Sequence, residues 1–173
     1  ATDPSAIRFI LSSTACDPVV VEGIECIPLH IKGQSFMIRQ IRKMVAMVVI
    51  SVREGLPDAA IRVALSARKL NLPVAPGFPL LLEKCHFDRY TKRFPHTDMN
   101  FVECEKKVKE FKMDVLYPHI IDIELSSKQF HEWLQKVEDI SGCKAALMSA
   151  VEEEANQGTG TAANDKEDNK LAD

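Results

Sequence analysis

Residues 32–55 read K-G-Q-S-F-M-I-R-Q-I-R-K-M-V-A-M-V-V-I-S-V-R-E-G. A turn at Gly33 and Gln34 leads to Ser35, a residue type suited to cap a helix, and Gly55 is suited to stop it. At 100° per residue, Met37, Ile41, Met44, Val45, Val48 and Val52 fall on one apolar face, which is the expected core face. Arg39, Arg42, Ala46, Ile50 and Arg53 form a narrow stripe on the other side. Positions 44–50 carry no polar side chain, so this part of the helix is expected to be enclosed on every side. Solvent is the ordinary surrounding of Arg39, Arg42 and Lys43 on such a helix. Ala46 and Ile50 in the same stripe argue that these cations meet a second surface instead.

Upstream, residues 7–13 alternate, with Ile7, Phe9 and Leu11 on the face expected to be buried. Residues 19–21 and then 24–32 read as a second strand, interrupted at Gly23. Pro28 lacks an N–H and marks an edge or a bulge there. The two strands are expected to pair antiparallel, joined near residues 16–18. Downstream, Pro57 or Asp58 starts a short helix that offers Ile61, Val63, Ala64 and Leu65 for packing. Pro73, Pro76, Gly77 and Pro79 make residues 71–79 an irregular crossing segment. Residues 80–87 read as a strand whose leading leucines imply burial on both faces. Arg89, Tyr90, Lys92, Arg93 and Phe94 form a basic and aromatic exit from it. Helical periodicity returns from Asp98, punctuated by Val102, Val108 and Phe111, and is expected to end near Tyr117 and Pro118. Ser126 or Ser127 is expected to cap a last helix containing Phe130, Trp133, Leu134 and Val137.

The 173 residues allow one domain with an appendage. That domain is expected over residues 1–149, with a helical extension at about 98–137. Residues 150–173 have little to bury and are expected to form a disordered acidic tail. No apolar run approaches the ~20 residues that span a bilayer, so no membrane partner is expected. The opening A-T-D-P-S-A lacks a basic and an apolar signal region and has no initiator methionine, so the chain reads as a piece of something longer. Five scattered cysteines, never in C-x-x-C spacing, fit reduced thiols inside a cell. The formal charge of −3 hides an asymmetry. Residues 30–70 hold eight Lys and Arg against Glu54 and Asp58, while residues from 151 onward hold seven acids against two lysines. A basic segment of that kind is compatible with a polyanionic partner.

There is no phosphate-binding G-x-x-x-x-G-K-[ST], no dinucleotide glycine pattern and no H-E-x-x-H. The five histidines are not spaced as helical metal ligands, so no metal is expected. Paired carboxylates suited to acid–base work are not evident.

K-G-Q-S-F-M-I-R-Q-I-R-K-M-V resembles the signature segment of TruA-type tRNA pseudouridine synthases in their eukaryotic form. The resemblance continues through P-x-A-P-G at 73–77, Leu80, Leu81, Leu82 and Glu83, His86, Phe87 and Tyr90. It reaches Phe111, Lys112, Tyr117, Pro118 and, weakly, Trp133, covering roughly residues 7–136. It implies an α+β fold with a mixed, largely antiparallel sheet, helices packed on one face, and a basic cleft crossing it. It implies isomerisation of uridine to pseudouridine in tRNA or other RNA, with no cofactor, on a base taken out of its stack. The implied compartment is the nucleus, with the mitochondrion as the alternative.

In that family the nucleophilic aspartate sits in a G-R-T-D motif, which this sequence does not contain. The chain thus resembles the C-terminal half of the catalytic domain and is expected to be inactive alone. By resemblance Arg42 is the active-site support that pairs with the aspartate, and Leu80 and Leu82 wall the uracil pocket. Lys32, Gln34, Arg39 and Lys43 are the expected RNA contacts. Arg39, Ala46 and Pro79 depart from the family's usual histidine, glycine and glycine. These departures suggest a divergent member with altered or lost activity, and the missing aspartate favours the alternative reading, a truncated or degenerate module that binds RNA or a partner without catalysis.

Overall fold

The computed structural model describes residues 7–66, 68, 70–95, 102–138 and 141–160. It is an α+β structure, and among the described residues the strands form two small two-stranded sheets where the sequence leads to one larger mixed sheet. Strand β1 (Ile10–Ala15) pairs with β4 (Leu29–Gly33). The Cys16 N–H donates to the Pro28 carbonyl at one end and the Gln34 N–H to the Phe9 carbonyl at the other, which makes the ribbon antiparallel. Between these strands, β2 (Val19–Val21) and β3 (Ile24–Cys26) form a separate hairpin with Val20 opposite Glu25. Glu22 and Gly23, both at positive φ (51° and 80°), make its two-residue turn. That backbone twist matches the twist of the strands and explains the interruption at Gly23.

Two compact units divide the chain. One is drawn from Ala1–Leu11, Ile31–Ala75 and His131–Asp173, the other from Ser12–His30 and Pro76–Phe130. In the first unit, α1 (Gln40–Glu54), α2 (Asp58–Leu65) and α7 (Ser141–Gly160) supply the core. Met47, Ala60, Val63, Leu147 and Ala150 are buried together, flanked by Leu56, Ile61, Ala64, Leu70, Leu72 and Val151. Lys144 Nζ lies 2.9 Å from Glu54 Oε2, and Arg68 Nη1 lies 2.8 Å from Glu153 Oε2.

Four expectations are corrected in this unit. Helix α1 begins at Gln40, so Ser35 does not cap it. Its capping position is Arg39 in the left-handed region (φ 63°), and Gln40 Oε1 accepts from the Met37 N–H at 2.8 Å. The buried face of α1 is Ala46, Met47, Ile50 and Ser51, the side of the arginine stripe. Val48 and Val52, on the expected core face, are 52% and 78% exposed, because no described residue covers them. Ile7, Phe9 and Leu11 are likewise exposed, since a two-stranded ribbon has no second layer over that face. Helix α7 runs on to Gly160, well into the segment expected to be disordered from residue 150. Leu147, Ala150 and Val151 at i, i+3 and i+4 give it an anchor against the core. Residues 161–173 lie outside the described residues.

In the second unit, a 3-10 turn (Val102–Cys104) enters α4 (Glu105–Phe111), which continues through a π-helical turn (Lys112–Leu116) into α5 (Tyr117–Ser127). The sequence reading ends a helix near Pro118; the chain instead widens one turn. The Tyr117 N–H reaches back five residues to the Lys112 carbonyl, and Pro118 then enters in the first turn of α5, where a missing N–H is tolerated. Ser126 and Ser127 do not cap the next helix. Their hydroxyls donate to the Ile123 carbonyl, and Lys128, in the left-handed region at φ 51°, ends α5. The Glu124 carboxylate accepts from the Phe130 N–H, tying down the start of α6 (Gln129–Glu138). Phe78 and Phe130 meet edge to face with centroids 5.5 Å apart.

Residues 80–87 are not a strand. They run without regular structure, and Leu80, Leu81 and Leu82 are 50%, 41% and 82% exposed. A strand exists only with a partner exchanging backbone hydrogen bonds, and no described strand pairs with this segment. A short helix α3 (Asp88–Arg93) follows it. Asp98 lies outside the described residues.

Candidate active-site support and nucleic-acid interface

Arg42 stands one turn ahead of Ala46 on the buried stripe of α1, and it is half-buried. It meets Ala75 twice. The Ala75 N–H donates to the Arg42 carbonyl at 3.3 Å, and Arg42 Nε donates to the Ala75 carbonyl at 2.6 Å. Ala75 is 2% exposed and belongs to the proline-bounded segment, whose restricted torsions hold that carbonyl in place. The guanidinium plane is thus fixed from its Nε edge. Its two terminal nitrogens carry four further N–H donors, and no carboxylate pairs with them among the described residues. A guanidinium held this way offers a forked, permanently charged seat for a carboxylate or a phosphate.

Lys32 is the last residue but one of β4, Gln34 follows that strand directly, Arg39 precedes α1, and Lys43 follows Arg42 on its first turn. These four residues and Arg42 belong to the same unit. Gln34 and Arg39 are exposed, Lys32 and Lys43 half-buried, and none of the three cations pairs with a carboxylate among the described residues. Gly33 has a steric reason: a Cβ there would come within 2.8 Å of the Phe36 ring and 3.2 Å of the Phe9 carbonyl. This packing sets the path of the loop carrying Gln34 and Arg39. Leu80 and Leu82 belong to the other unit and stand exposed.

Two features escape a reading of the sequence. Ala75 is an alanine between prolines, and nothing in its spacing marks it as the residue that orients Arg42. In the second unit, Glu83 gathers two basic side chains: Lys112 Nζ donates to its Oε1, and His30 Nε2 lies 3.2 Å from its Oε2. The hydrogen bond from Lys112 holds the Glu83 carboxyl below its ordinary range, against the opposing effect of burial. Burial works to lower the Lys112 pKa, but the hydrogen bond and charge of Glu83 outweigh it and the net shift is upward. These residues are distant in sequence, so only the fold brings them together.

Among the described residues no three His, Cys, Asp or Glu side chains are placed to hold a metal ion. No described helix is long and apolar enough to cross a membrane.

Residues 3–88 match the tRNA pseudouridine synthase family. The chain is 40% identical over 136 residues to the human "Pseudouridylate synthase 1 homolog", covering 76% of this chain and 32% of that protein. It is 38% identical over 145 residues to "tRNA pseudouridine synthase 1" of Candida albicans, covering 82% of this chain and 24% of that protein. It is 36% identical over 147 residues to "tRNA pseudouridine synthase 2" of Schizosaccharomyces pombe, covering 82% and 32%. The chain spans a third or less of the length of these curated relatives. The family match takes in the Lys32–Lys43 site and the proline-bounded segment alike, and by it this chain belongs to the tRNA pseudouridine synthase family.

Proposed function

We propose that this chain supplies the C-terminal part of a catalytic unit that isomerises uridine to pseudouridine in tRNA, inside the cell. The observation that carries the reading is Arg42, clamped to Ala75 with its terminal nitrogens unpaired among the described residues. In this reading the nucleophilic aspartate comes from polypeptide outside the 173 residues and docks on that guanidinium. A carboxylate in a water-poor pocket stays ionised only beside a close cation, so the pairing keeps the nucleophile active. Leu80 and Leu82 then form the apolar wall of the uracil pocket, once further polypeptide covers them. Lys32, Arg39 and Lys43 hold phosphates and Gln34 hydrogen-bonds the strand, which fixes position more than sequence. No cofactor takes part.

The test is tritium release from tRNA carrying 5-tritiated uridine. The chain alone releases none above background; turnover by the chain alone overturns the half-site reading. Fused behind the preceding catalytic segment of a relative, it releases tritium, and Arg42→Ala lowers that rate by roughly a hundredfold. An unchanged rate in that variant removes Arg42 from the site.

A second reading, a non-catalytic RNA-binding module, is favoured by one observation: no G-R-T-D motif occurs in the sequence. It predicts a fusion that binds tRNA and releases no tritium.

A further inference from the structure

Helix α3 (Asp88–Arg93) has features that its own stability does not explain. It is six residues long, has no side-chain cap and buries none of its residues. Lys92 and Arg93 stand in its last turn, where positive charge suits the helix dipole. Arg89 stands in its first turn, where positive charge opposes the dipole. Arg89, Lys92 and Arg93 recur at i, i+3 and i+4, so they share one face. Arg89 and Lys92 are exposed, and neither has a carboxylate partner among the described residues. On the adjoining face Tyr90 and Phe94, both 44% exposed, bring their rings to 5.0 Å at a 46° tilt. The Arg93 guanidinium lies 5.5 Å from the centre of the Phe94 ring, joining the two faces.

Cations along one edge and open aromatic rings beside them suit a flexible polyanion that also carries flat apolar groups. Among macromolecules that is single-stranded nucleic acid, whose phosphates take the cations and whose unstacked bases take the rings. Tyr90 and Phe94 are tilted, so one flat base cannot lie on both. Phe94 already has Arg93 on it, which leaves Tyr90 as the platform and Phe94 as its backing. We propose that α3 is a second RNA contact, separate from Lys32, Gln34, Arg39 and Lys43, which grips an unpaired stretch of the substrate RNA by stacking a base on Tyr90 while Arg89 and Lys92 hold the neighbouring phosphates. It rests on the RNA-binding part of the proposed function and adds a preference for unpaired RNA.

Fluorescence anisotropy of the full 173-residue chain with a fluorescein-labelled 12-nucleotide oligouridine, and with a 12-base-pair RNA duplex, tests it. Tyr90→Ala weakens oligouridine binding roughly tenfold, Tyr90→Phe restores it, and duplex binding changes much less. Arg89→Gln with Lys92→Gln lowers the salt slope by about 1.4, the value for two phosphate contacts on a single strand. Since α3 buries none of its residues, these variants keep the far-UV circular dichroism of the parent; if Tyr90→Ala alters it, Tyr90→Phe and the double glutamine variant decide. Parental oligouridine affinity in both the Tyr90→Ala and double variants, with weakening by Lys43→Ala, overturns the α3 contact and leaves the other RNA site standing. No RNA binding by the parent chain overturns both. Displacement of RNA by polyglutamate at equal charge concentration overturns the nucleic-acid assignment and makes α3 a general anion surface.

Discussion

Arg42 and Arg39 lie three residues apart and are held by opposite means. Arg42 is fixed by its neighbour Ala75, while Arg39 is fixed by a backbone torsion that costs an L-residue about 1–2 kcal/mol. That strain makes a divided outcome testable. Arg39→Gly relieves the left-handed conformation and raises unfolding free energy by about 0.5–1 kcal/mol, yet removes a cation and weakens tRNA binding. Chemical denaturation and anisotropy on one preparation read both effects; a variant that is less stable contradicts the backbone assignment. The pair of Glu83 and Lys112 makes a second residue-scale prediction. Glu83, held below its ordinary value of 4.5, favours the folded state above that value and loses the effect as pH falls through its depressed pKa. Lys112, held above 10.5, favours it below that value and loses the effect as pH rises through its raised pKa. The stability lost in Glu83→Gln, ~1 kcal/mol near neutral pH, therefore shrinks toward about pH 3 and again above about pH 10. Urea unfolding across pH measures it. A difference that grows toward about pH 3 would contradict the sign.

Sequence reading served best where an element is decided locally. The Pro57–Asp58 start of α2 and the Gly55 stop of α1 follow from residues that act on their own backbone, and both are found where they were expected. Ser35 misleads because Gln40, five residues on, satisfies a loop N–H and the helix starts there instead. The leucines of 80–87 have strand character without a strand partner, and propensity cannot supply one. Arg42 was legible as a cation meeting a second surface, but its partner Ala75 was not, because that contact spans 33 positions. Helix α7 was missed because polar residues from 152 onward mask a short anchor. Leu147 is fully buried there, so Leu147→Ala costs about 2–5 kcal/mol and lowers the thermal midpoint by several degrees or more. Calorimetry that finds no change removes α7 from the core. The π-helical turn has its own effect on register. One additional residue in a turn rotates all that precedes it by about 100°, so the widened turn helps to decide that Lys112 points at Glu83.

At the scale of the molecule, apolar groups stand open in both units, among them Ile7, Phe9 and Val52 in one and Leu80 and Leu82 in the other. Surface of this kind in a folded protein marks places made to be covered. The isolated chain is therefore expected to bind the dye anilinonaphthalene sulfonate and to self-associate with rising concentration, and the fusion to do neither. Dye fluorescence and sedimentation velocity check this, and a dye-silent monomer contradicts it. The two units also interleave along the chain, which passes from one to the other after residues 11, 30, 75 and 130. No single cut in the gene yields either unit whole. Expressing one of them by itself requires splicing two or three separated stretches, and any nonsense codon before residue 130 leaves both unfinished.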